Sequence, residues 1–254
     1  MRILVTGYKG FIGSKIYDSL KNINDKNINV YGLEISEPFP EVKYDIIYHF
    51  GGKTLLRESL KEPHEYFEQN VNFTAKLLEK ARKDDSIFIF PTTGSSKAEN
   101  PYSISKAISE LWIKMYSDLY GIKGALYRLY NVYGGKKGAV YLFLKSAVEG
   151  NAITLYNRGE NLRDYIYVDD VVNYILHDKH NEKIMVKHVG TGIGTSTLQL
   201  VHKIEDFIGH KVEIRYGKSD VKESFYSIAS DPVPYSTSLE KGIEKVYDLI
   251  KNDT

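Results

Sequence analysis

Short apolar runs alternate along the chain with longer segments in which apolar residues recur every three or four positions. The runs are typical of buried strands and the longer segments of amphipathic helices. The predicted strands are Ile3–Val5, Val30–Leu33, Ile46–Phe50, Ile87–Phe90, Ala125–Arg128 and Val186–Val189. The predicted helices cover residues 11–22, 63–83, 101–120, 139–149, 169–178, 196–208 and, near the end, Leu239–Ile250. This alternation predicts an α/β fold, a parallel sheet with helices on both faces.

Three glycines spaced three residues apart follow the first predicted strand. Gly7, Gly10 and Gly13 stand where this strand turns into a helix that begins at Phe11. A side chain at Gly7 or Gly10 would hold a phosphate away from the backbone N–H groups, and one at Gly13 would push the helix off the strand. The pattern predicts a dinucleotide site in a Rossmann-like, doubly wound sheet. An ordinary glycine-rich turn is the alternative.

A glutamate closes the second predicted strand. Glu34 lies about 20 residues beyond the glycines, where it would accept hydrogen bonds from the ribose of an adenosine. The neighbouring sequence has no arginine to hold a 2′-phosphate. NAD is therefore favoured over NADP, and a solvated glutamate at a strand end is the alternative.

Composition narrows the class of protein. The 254 residues include 34 basic and 33 acidic side chains and no cysteine. The balanced charge argues against a nucleic-acid or membrane surface, and the absence of cysteine removes disulfides and thiolate chemistry. No apolar run approaches the ~18 residues of a membrane span, and the chain opens on a core strand rather than a signal peptide. We expect a cytoplasmic protein without a bound metal.

A threonine, a tyrosine and a lysine form the candidate catalytic group. Thr93 follows a predicted strand, whereas Tyr102 and Lys106 lie one turn apart at the start of a predicted helix and so share a face. A phenol with a pKa near ~10 is a poor base at neutral pH, but a lysine ammonium and a cationic nicotinamide would lower that pKa. Such a group would move a proton on and off an alcohol while hydride leaves its carbon. An exposed helix face is the alternative interpretation.

Six segments match the motifs of one protein family, and they are Thr6–Gly13, Asp45–Gly52, Asn70–Thr74, Arg128–Gly134, Arg163–Asp170 and Val189–Gly192. The chain resembles the extended short-chain dehydrogenase/reductases, specifically the NAD-dependent epimerase/dehydratase family, and is most similar to UDP-glucose 4-epimerase-like proteins. His188 stands where the family usually has asparagine.

This resemblance implies a role for individual residues. Tyr102 is the catalytic base, Lys106 binds the nicotinamide ribose and lowers the tyrosine pKa, and Thr93 is the hydroxyl partner. The implied cofactor-binding residues are Gly7, Gly10, Phe11, Ile12, Gly13, Glu34, Phe50, Gly51, Gly52, Asn70, Tyr102, Lys106 and Tyr130. Thr93, Asn131 and Arg163 are the implied substrate-binding residues. The alternatives are a loop-capping amide for Asn131 and a surface ion pair for Arg163 and Asp164. His49 is predicted to pack beside the strand rather than to act in catalysis.

The chain departs from the family in several places. Only residues 35–44 separate Glu34 from Asp45, where the family has a helix, a strand and another helix, so one βα unit is predicted to be missing and the adenine side open or closed differently. Phe73 replaces a glycine. Gly94-Ser95-Ser96 follows Thr93 instead of the Asp-Glu pair of the 4,6-dehydratases, which disfavours dehydration.

The resemblance therefore implies an NAD-dependent nucleotide-sugar epimerase acting on a UDP-sugar, through transient C4 oxidation by hydride transfer to NAD. The alternatives are a nucleotide-sugar keto-reductase or dehydrogenase and a non-catalytic nucleotide-binding scaffold. We predict a dinucleotide-binding domain over residues 1–134 and parts of 160–190, and a small substrate-binding subdomain over 135–159 and 191–254. A homodimer through the helices near 63–83 and 101–120 is also implied.

Overall fold

The computed structural model describes residues 1–94, 100–218 and 224–252. The strands in this part of the chain are β1 (Arg2–Thr6), β2 (Asn29–Leu33), β3 (Ile46–His49), β4 (Ile87–Thr93), β5 (Gly124–Leu129), β6 (Asn131–Tyr133), β7 (Ile153–Tyr156), β8 (Leu162–Tyr167), β9 (Met185–Val189), β10 (Gly194–Ser196), β11 (Ile214–Gly217) and β12 (Tyr226–Ser227). Each predicted strand is present, so the apolar runs located the main sheet correctly.

The helices are α1 (Phe11–Lys21), α2 (Leu56–Lys61), α3 (Pro63–Tyr66), α4 (Phe73–Asp84), α5 (Pro101–Tyr120), α6 (Gly138–Val148), α7 (Val168–His177), α8 (Thr197–Ile208) and α9 (Leu239–Lys251). A π-helical segment, Phe67–Asn72, joins α3 to α4. The sequence pattern predicted one continuous helix there, and it did not predict α2. Among the described residues, no helix combines the length and apolarity needed to cross a bilayer.

Six strands form the main sheet in the order β2-β1-β3-β4-β5-β9. Strand β1 pairs in parallel with β2 on one side and with β3 on the other, so that Ile3 lies opposite both Val30 and Ile46. Strand β3 in turn pairs in parallel with β4. The strand that follows β2 in the chain, β3, pairs with β1 and not with β2. Strand β2 therefore lies at the edge of the sheet. The predicted Rossmann-like sheet that lacks one βα unit is confirmed.

The short segment between β2 and β3 packs onto the core. Ile35, Phe39 and Val42 are partly buried against the apolar cluster around β3 and α4. The ring of Phe39 stacks on Phe73, with centroids 5.7 Å apart and planes at 13°. Phe73, the residue that replaces the family's glycine, thus provides the surface that holds this segment in place.

Helix α5 begins and ends at residues suited to those positions. The Asn100 side chain accepts a hydrogen bond from the backbone N–H of Ser103 (2.9 Å), which caps the first turn, and Pro101 fits the first helical position. At the other end Gly121 adopts φ +72°, a left-handed conformation that stops the helix. This fixes the register of Tyr102 and Lys106 on the helix.

The chain divides into two compact units. Unit 1 comprises Met1–Arg128 and Ile175–Lys187 and contains most of the main sheet; unit 2 comprises Leu129–Tyr174 and His188–Thr254. Within unit 2, β8 pairs with β10, β12 and β6, and β7 pairs with β11. The boundaries differ from the predicted domains, because residues 129–134 and 160–174 fall in unit 2. That unit 2 binds the substrate stays a prediction.

Candidate active site

The first glycine turn is too tight for side chains. Gly7 has φ +64°, and a Cβ on it would lie 2.7 Å from Cα of Gly51. A Cβ on Gly13 would lie 2.2 Å from the carbonyl oxygen of Gly7. Gly10 donates a backbone hydrogen bond to that same oxygen (2.9 Å) and is the N-cap of α1. The glycines at the N-terminus of α1 therefore leave the backbone accessible, as a bound pyrophosphate requires.

A second turn, Phe50–Gly52, packs against the first. The backbone N–H of Gly51 donates to Oγ1 of Thr6 (3.1 Å), and that of Phe50 donates to the carbonyl of Thr6 (3.1 Å). Gly52 has φ +145°, and a Cβ there would lie 2.5 Å from Oδ1 of Asn70. Both turns thus present backbone alone, which fits a cofactor lying along the ends of β1 and β3.

Glu34 contacts the glycine turn directly. Its Oε1 accepts a hydrogen bond from the backbone N–H of Lys9 (3.1 Å), and its own N–H donates to Glu37 (2.9 Å). Tyr8 of the same turn packs on Gly32, where a Cβ would lie 2.5 Å from the tyrosine ring. The half-buried Glu34 carboxylate is therefore positioned beside the predicted phosphate cradle. The bond from Lys9 had no signal in the sequence.

Thr93 and Tyr102 are brought together, although eight residues separate them in the chain. Thr93 is buried and Tyr102 is half-buried, and the Thr93 hydroxyl forms a hydrogen bond with the Tyr102 phenol. The ring of Tyr66 packs against Tyr102 edge to face, with centroids 6.4 Å apart. Burial raises the pKa of Tyr102 above its ordinary value, while the hydrogen bond with Thr93 lowers it. The raised pKa is opposite to the predicted direction, because the protein alone desolvates the phenolate.

Lys106 lies one turn beyond Tyr102 and is only 5% exposed. Its Nζ donates to the carbonyl oxygen of Pro91 (3.2 Å) and lies 4.4 Å from the centroid of the Phe90 ring. Burial lowers the pKa of Lys106 to about 8, and Glu110 opposes this shift. At neutral pH the side chain is thus a buried cation beside the end of β4.

A buried carboxylate that was not predicted from the sequence, Glu110, lies one turn beyond Lys106 on α5. Glu110 accepts from Nη2 of Arg128 (2.8 Å) and from the Thr92 hydroxyl (2.6 Å). It thereby links α5 to β5 and to the residue before Thr93. Its position four residues after Lys106 was a signal that could have found it, since i and i+4 residues share a helix face.

The side chain of the buried Asn70 forms hydrogen bonds within the protein, next to the second turn. Its amide accepts from the backbone N–H of Lys53 (2.8 Å) and donates to the Lys53 carbonyl (3.0 Å) and to the hydroxyl of Ser105 (2.9 Å). His49 is fully buried, consistent with its interpretation as a packing residue beside the strand. The hydrogen bonds of Asn70 therefore join the turn to the helix that carries Tyr102.

In unit 2, the predicted ligands are half-buried. Asn131 lies in β6 opposite Tyr165 of β8. The hydroxyl of Tyr130 is hydrogen-bonded to Nδ1 of His188 (2.7 Å), and the two rings stack. His188 thus takes part in a specific contact with a predicted cofactor residue at the position where the family usually has asparagine.

Arg163 holds neighbouring backbone. Its Nη1 donates to the carbonyl oxygens of Leu162 (3.0 Å), Ser224 (2.9 Å) and Phe225 (3.4 Å). These contacts tie β8 to the segment that leads into β12. The guanidinium therefore has a structural function within unit 2, whether or not it also binds the substrate.

Asp164, next to Arg163, is completely buried, so the alternative of a surface ion pair is wrong. Its carboxylate accepts from the backbone N–H groups of Thr191 (2.8 Å), Gly192 (2.9 Å) and Ala229 (3.1 Å). A Cβ on Gly190 would lie 2.4 Å from this carboxylate. Asp164 therefore fixes the turn after β9.

The model of the NAD dependent epimerase/dehydratase family matches residues 3–185, more than half of the chain. The chain belongs to this family. It is therefore an enzyme of the NAD-dependent epimerase/dehydratase type, and the predicted family is confirmed.

Several of the relatives are UDP-sugar epimerases by name. The chain is 28% identical to a putative UDP-glucose 4-epimerase of Methanocaldococcus jannaschii, with 99% of both chains covered. It is also 28% identical to the UDP-glucose 4-epimerase of Mycolicibacterium smegmatis, over 82% of this chain and 83% of the relative. The UDP-glucose 4-epimerase of Thermotoga maritima, solved with UDP-glucose, superposes with a TM-score of 0.87 at 26% identity and covers 100% of this chain and 99% of its own.

Two absences concern the chemistry of the site. Ser95 and Ser96, which replace the acid and base of the family's dehydratases, lie outside the described residues. Across residues 1–94, 100–218 and 224–252, no group of three His, Asp or Glu side chains is placed to hold a metal ion.

Proposed function

We propose that the protein is an NAD-dependent nucleotide-sugar 4-epimerase that acts on a UDP-sugar. The observation that carries this proposal is the hydrogen-bonded pair of Thr93 and Tyr102, with the buried cation of Lys106 one helical turn beyond Tyr102. The names of the relatives, which include UDP-glucose 4-epimerases, support the choice of substrate class.

The residues at the ends of β1, β2 and β3 suit NAD. The glycines of the two turns leave space for a pyrophosphate to approach the N-terminus of α1, and Glu34 offers a carboxylate for ribose hydroxyls. Gly7, Gly10, Phe11, Ile12 and Gly13 would hold the pyrophosphate. Bound NAD supplies a reversible hydride acceptor, which is the chemistry that inversion at an alcohol carbon requires.

Tyr102 is the proposed base. Its phenolate would take the proton of the sugar 4-hydroxyl and later return it to the same oxygen, once the keto-sugar has turned its other face to the site and hydride has returned to C4. Because burial alone raises the pKa of Tyr102, ionisation depends on nearby positive charge, and Lys106 is a fixed cation on the same helix face. Thr93 shares a hydrogen bond with the phenol and keeps its oxygen directed at the substrate. Asn131 and Arg163 are the proposed ligands of the nucleotide diphosphate.

A homodimer is part of this proposal, and a cytoplasmic location stays a prediction. Helix α5 carries large apolar side chains that are exposed to solvent in the single chain, namely Leu111 (68%), Trp112 (42%) and Leu119 (66%). A second copy of the chain would cover this face. Sedimentation of the purified protein as a monomer would contradict it.

Replacement of Tyr102 by phenylalanine tests the proposed base. We expect Tyr102→Phe to lower the interconversion of UDP-glucose and UDP-galactose at least about 1,000-fold, because no other group at this position accepts the proton. Unfolding by urea should change little, since the ring is retained. Unchanged turnover would refute the role of Tyr102. Net oxidation of NADH by a keto-sugar would instead favour a reductase, and binding without turnover would favour a scaffold.

A further inference from the structure

A chain of hydrogen bonds runs beneath the two glycine turns through His49. Nδ1 of His49 is 2.7 Å from Oγ1 of Thr6, and Nε2 is 2.9 Å from Oγ1 of Thr74. Oγ1 of Thr74 also donates to the carbonyl oxygen of Asn70 (2.5 Å). Thr6, His49 and Thr74 are all completely buried. The imidazole therefore joins β1 and β3 to α4 by polar contacts within the apolar core.

The partners of the two threonines fix the direction of each bond. The single hydroxyl proton of Thr74 goes to Asn70, so Nε2 of His49 must carry the proton that Thr74 accepts. Thr6 accepts from the backbone N–H of Gly51 and has its own hydroxyl proton left for Nδ1 of His49. All six atoms of this chain, from the Gly51 nitrogen to the Asn70 carbonyl oxygen, are satisfied when His49 is neutral and protonated on Nε2.

The groups around the ring also favour the neutral form. Its neighbours are the rings of Phe73 from α4 and of Phe88 and Phe90 from β4, with centroids 5.3 to 6.1 Å away. The charged group that acts on it is the Lys106 ammonium of α5. Burial, and then this positive charge, lower the pKa of His49 well below its usual value.

The chain of bonds reaches the helix of the proposed catalytic residues. Asn70, at its far end, lies in the π-helical segment, a type of turn often found at functional sites. The Asn70 carbonyl also accepts from the hydroxyl of Ser109 (3.0 Å), and its side chain donates to Ser105. Ser105 in turn donates to the carbonyl of Tyr102 (2.8 Å). An unbroken path thus connects Gly51 to the first turn of α5.

We propose that His49, in its neutral Nε2–H form, is a positioning residue that holds the Phe50–Gly52 turn in register with the helix carrying Tyr102 and Lys106. This inference rests on the proposed function, since the register matters only when cofactor and substrate lie across both elements. A packing residue would need no fixed tautomer, because its ring contacts are the same in either form.

Nuclear magnetic resonance of the protein labelled with ¹⁵N-histidine tests the tautomer without added cofactor. The His49 signal is assigned by its loss in His49→Phe. We expect an unprotonated Nδ1 and a protonated Nε2 that stay unchanged over the range of about pH 5 to 8 in which ordinary histidines titrate. An Nδ1–H form, or titration of His49 within this range, would overturn the inference.

Variants of Thr74 test the positioning role. We expect Thr74→Val to weaken NAD binding and to lower the turnover number by about tenfold each, because it leaves the buried N–H of His49 unpaired. Thr74→Ser, which keeps the hydroxyl, should restore both to within about twofold. The matched control is Ser86→Ala. It removes a buried hydroxyl bond to Tyr44 (2.7 Å) before β3 and β4, at the opposite end of these strands.

The two experiments separate the possible failures. If Thr74→Val and Ser86→Ala lower the unfolding midpoint alike and leave NAD affinity and turnover unchanged, His49 is only structural and the inference is wrong. If the wild-type protein itself binds no NAD, the proposed function fails, whereas the tautomer measured without cofactor still decides whether the hydrogen-bond chain exists.

Discussion

Units 1 and 2 both contain predicted site residues, but these residues differ in their packing and in their hydrogen-bond partners. In unit 1, Gly7 and Gly13 have no room for a Cβ, Lys106 is buried, and both Tyr102 and Lys106 have defined partners. In unit 2 the predicted ligands Asn131 and Arg163 are only half-buried, and Arg163 is bonded to backbone carbonyl oxygens. Unit 1 therefore has the geometry of a preformed chemical site. Unit 2 has the geometry of a surface whose shape depends on contacts between loops.

This difference has an energetic consequence. Burying the Lys106 cation and the polar chain through His49 costs free energy that only specific partners offset. The contacts of Arg163 are partly exposed, and each contributes little net stability. Substitutions in unit 1 should therefore have large effects on both stability and activity, whereas those in unit 2 should act mainly on substrate affinity.

The largest effect is expected at Gly13. A Cβ there would meet the Gly7 carbonyl at 2.2 Å, and since that oxygen belongs to the backbone the turn itself must move. We expect Gly13→Ala to abolish NAD binding and to lower the free energy of unfolding by about 3 kcal/mol or more. Calorimetry with NAD and urea unfolding measure the two effects.

The matched control for this substitution lies in unit 2. A Cβ on Gly194 would meet Cδ1 of Ile228 at 2.5 Å, and this is the far end of a flexible side chain. We expect Gly194→Ala to cost less than about 1 kcal/mol, because that side chain can move aside. Equal losses for the two variants would remove the contrast between the units.

Lys106→Met should have opposite effects on stability and on activity. Burial lowers the Lys106 pKa from 10.5 to about 8, so the unfolded chain binds more protons than the folded one between these values. Below pH 8 the buried cation therefore lowers the free energy of unfolding of the wild type by roughly 3 kcal/mol. The wild type regains this stability as the pH rises from 8 to 10.5. Loss of the Pro91 and Phe90 contacts reduces the gain of the variant to about 1–2 kcal/mol at pH 7.

Urea unfolding at pH 7 and pH 10 checks this prediction, together with an activity assay that should fall at least about 100-fold. Lys145→Met is the control, because Lys145 is 45% exposed on α6 and its loss should change stability by less than about 0.5 kcal/mol. A variant less stable than the wild type at pH 7 would contradict the burial argument, as would a gain that does not shrink at pH 10.

The smallest of these effects is expected at Arg163. Arg163→Met removes donors to the carbonyls of Ser224 and Phe225, which should cost about 1 kcal/mol of unfolding free energy. If the guanidinium also binds the diphosphate, the Michaelis constant for the UDP-sugar should rise about tenfold or more with little change in the turnover number. Steady-state kinetics distinguish the two functions, since an unchanged Michaelis constant would leave only the backbone contacts.

The sequence predicted unit 1 well because its signals are local. Strands such as β1 and β4 are continuous apolar runs, the glycine spacing is fixed by one turn, and Tyr102 and Lys106 share one helix face. Several strands of unit 2 are shorter: β6 and β10 have three residues each and β12 has two, too few for a periodic pattern to emerge.

Contacts between distant residues were not predictable in either unit. The Glu110–Arg128 pair, the bonds to Asp164 and the chain through His49 all join segments far apart in the sequence, where pattern alone carries no information about pairing. The π-helical segment was also missed; Asn70 within it bonds to Lys53 and Ser105, which lie far from it in the sequence.

The fate of the hydrogen at C4 tests the central claim most directly. UDP-glucose carrying deuterium at C4 is incubated with the protein, and the product is examined by mass spectrometry and proton magnetic resonance while NADH absorbance is followed. The proposed 4-epimerase should give UDP-galactose that retains the deuterium at C4, with no net NADH. Loss of the deuterium from the product, accumulation of NADH with a keto-sugar, or no conversion at all would contradict it.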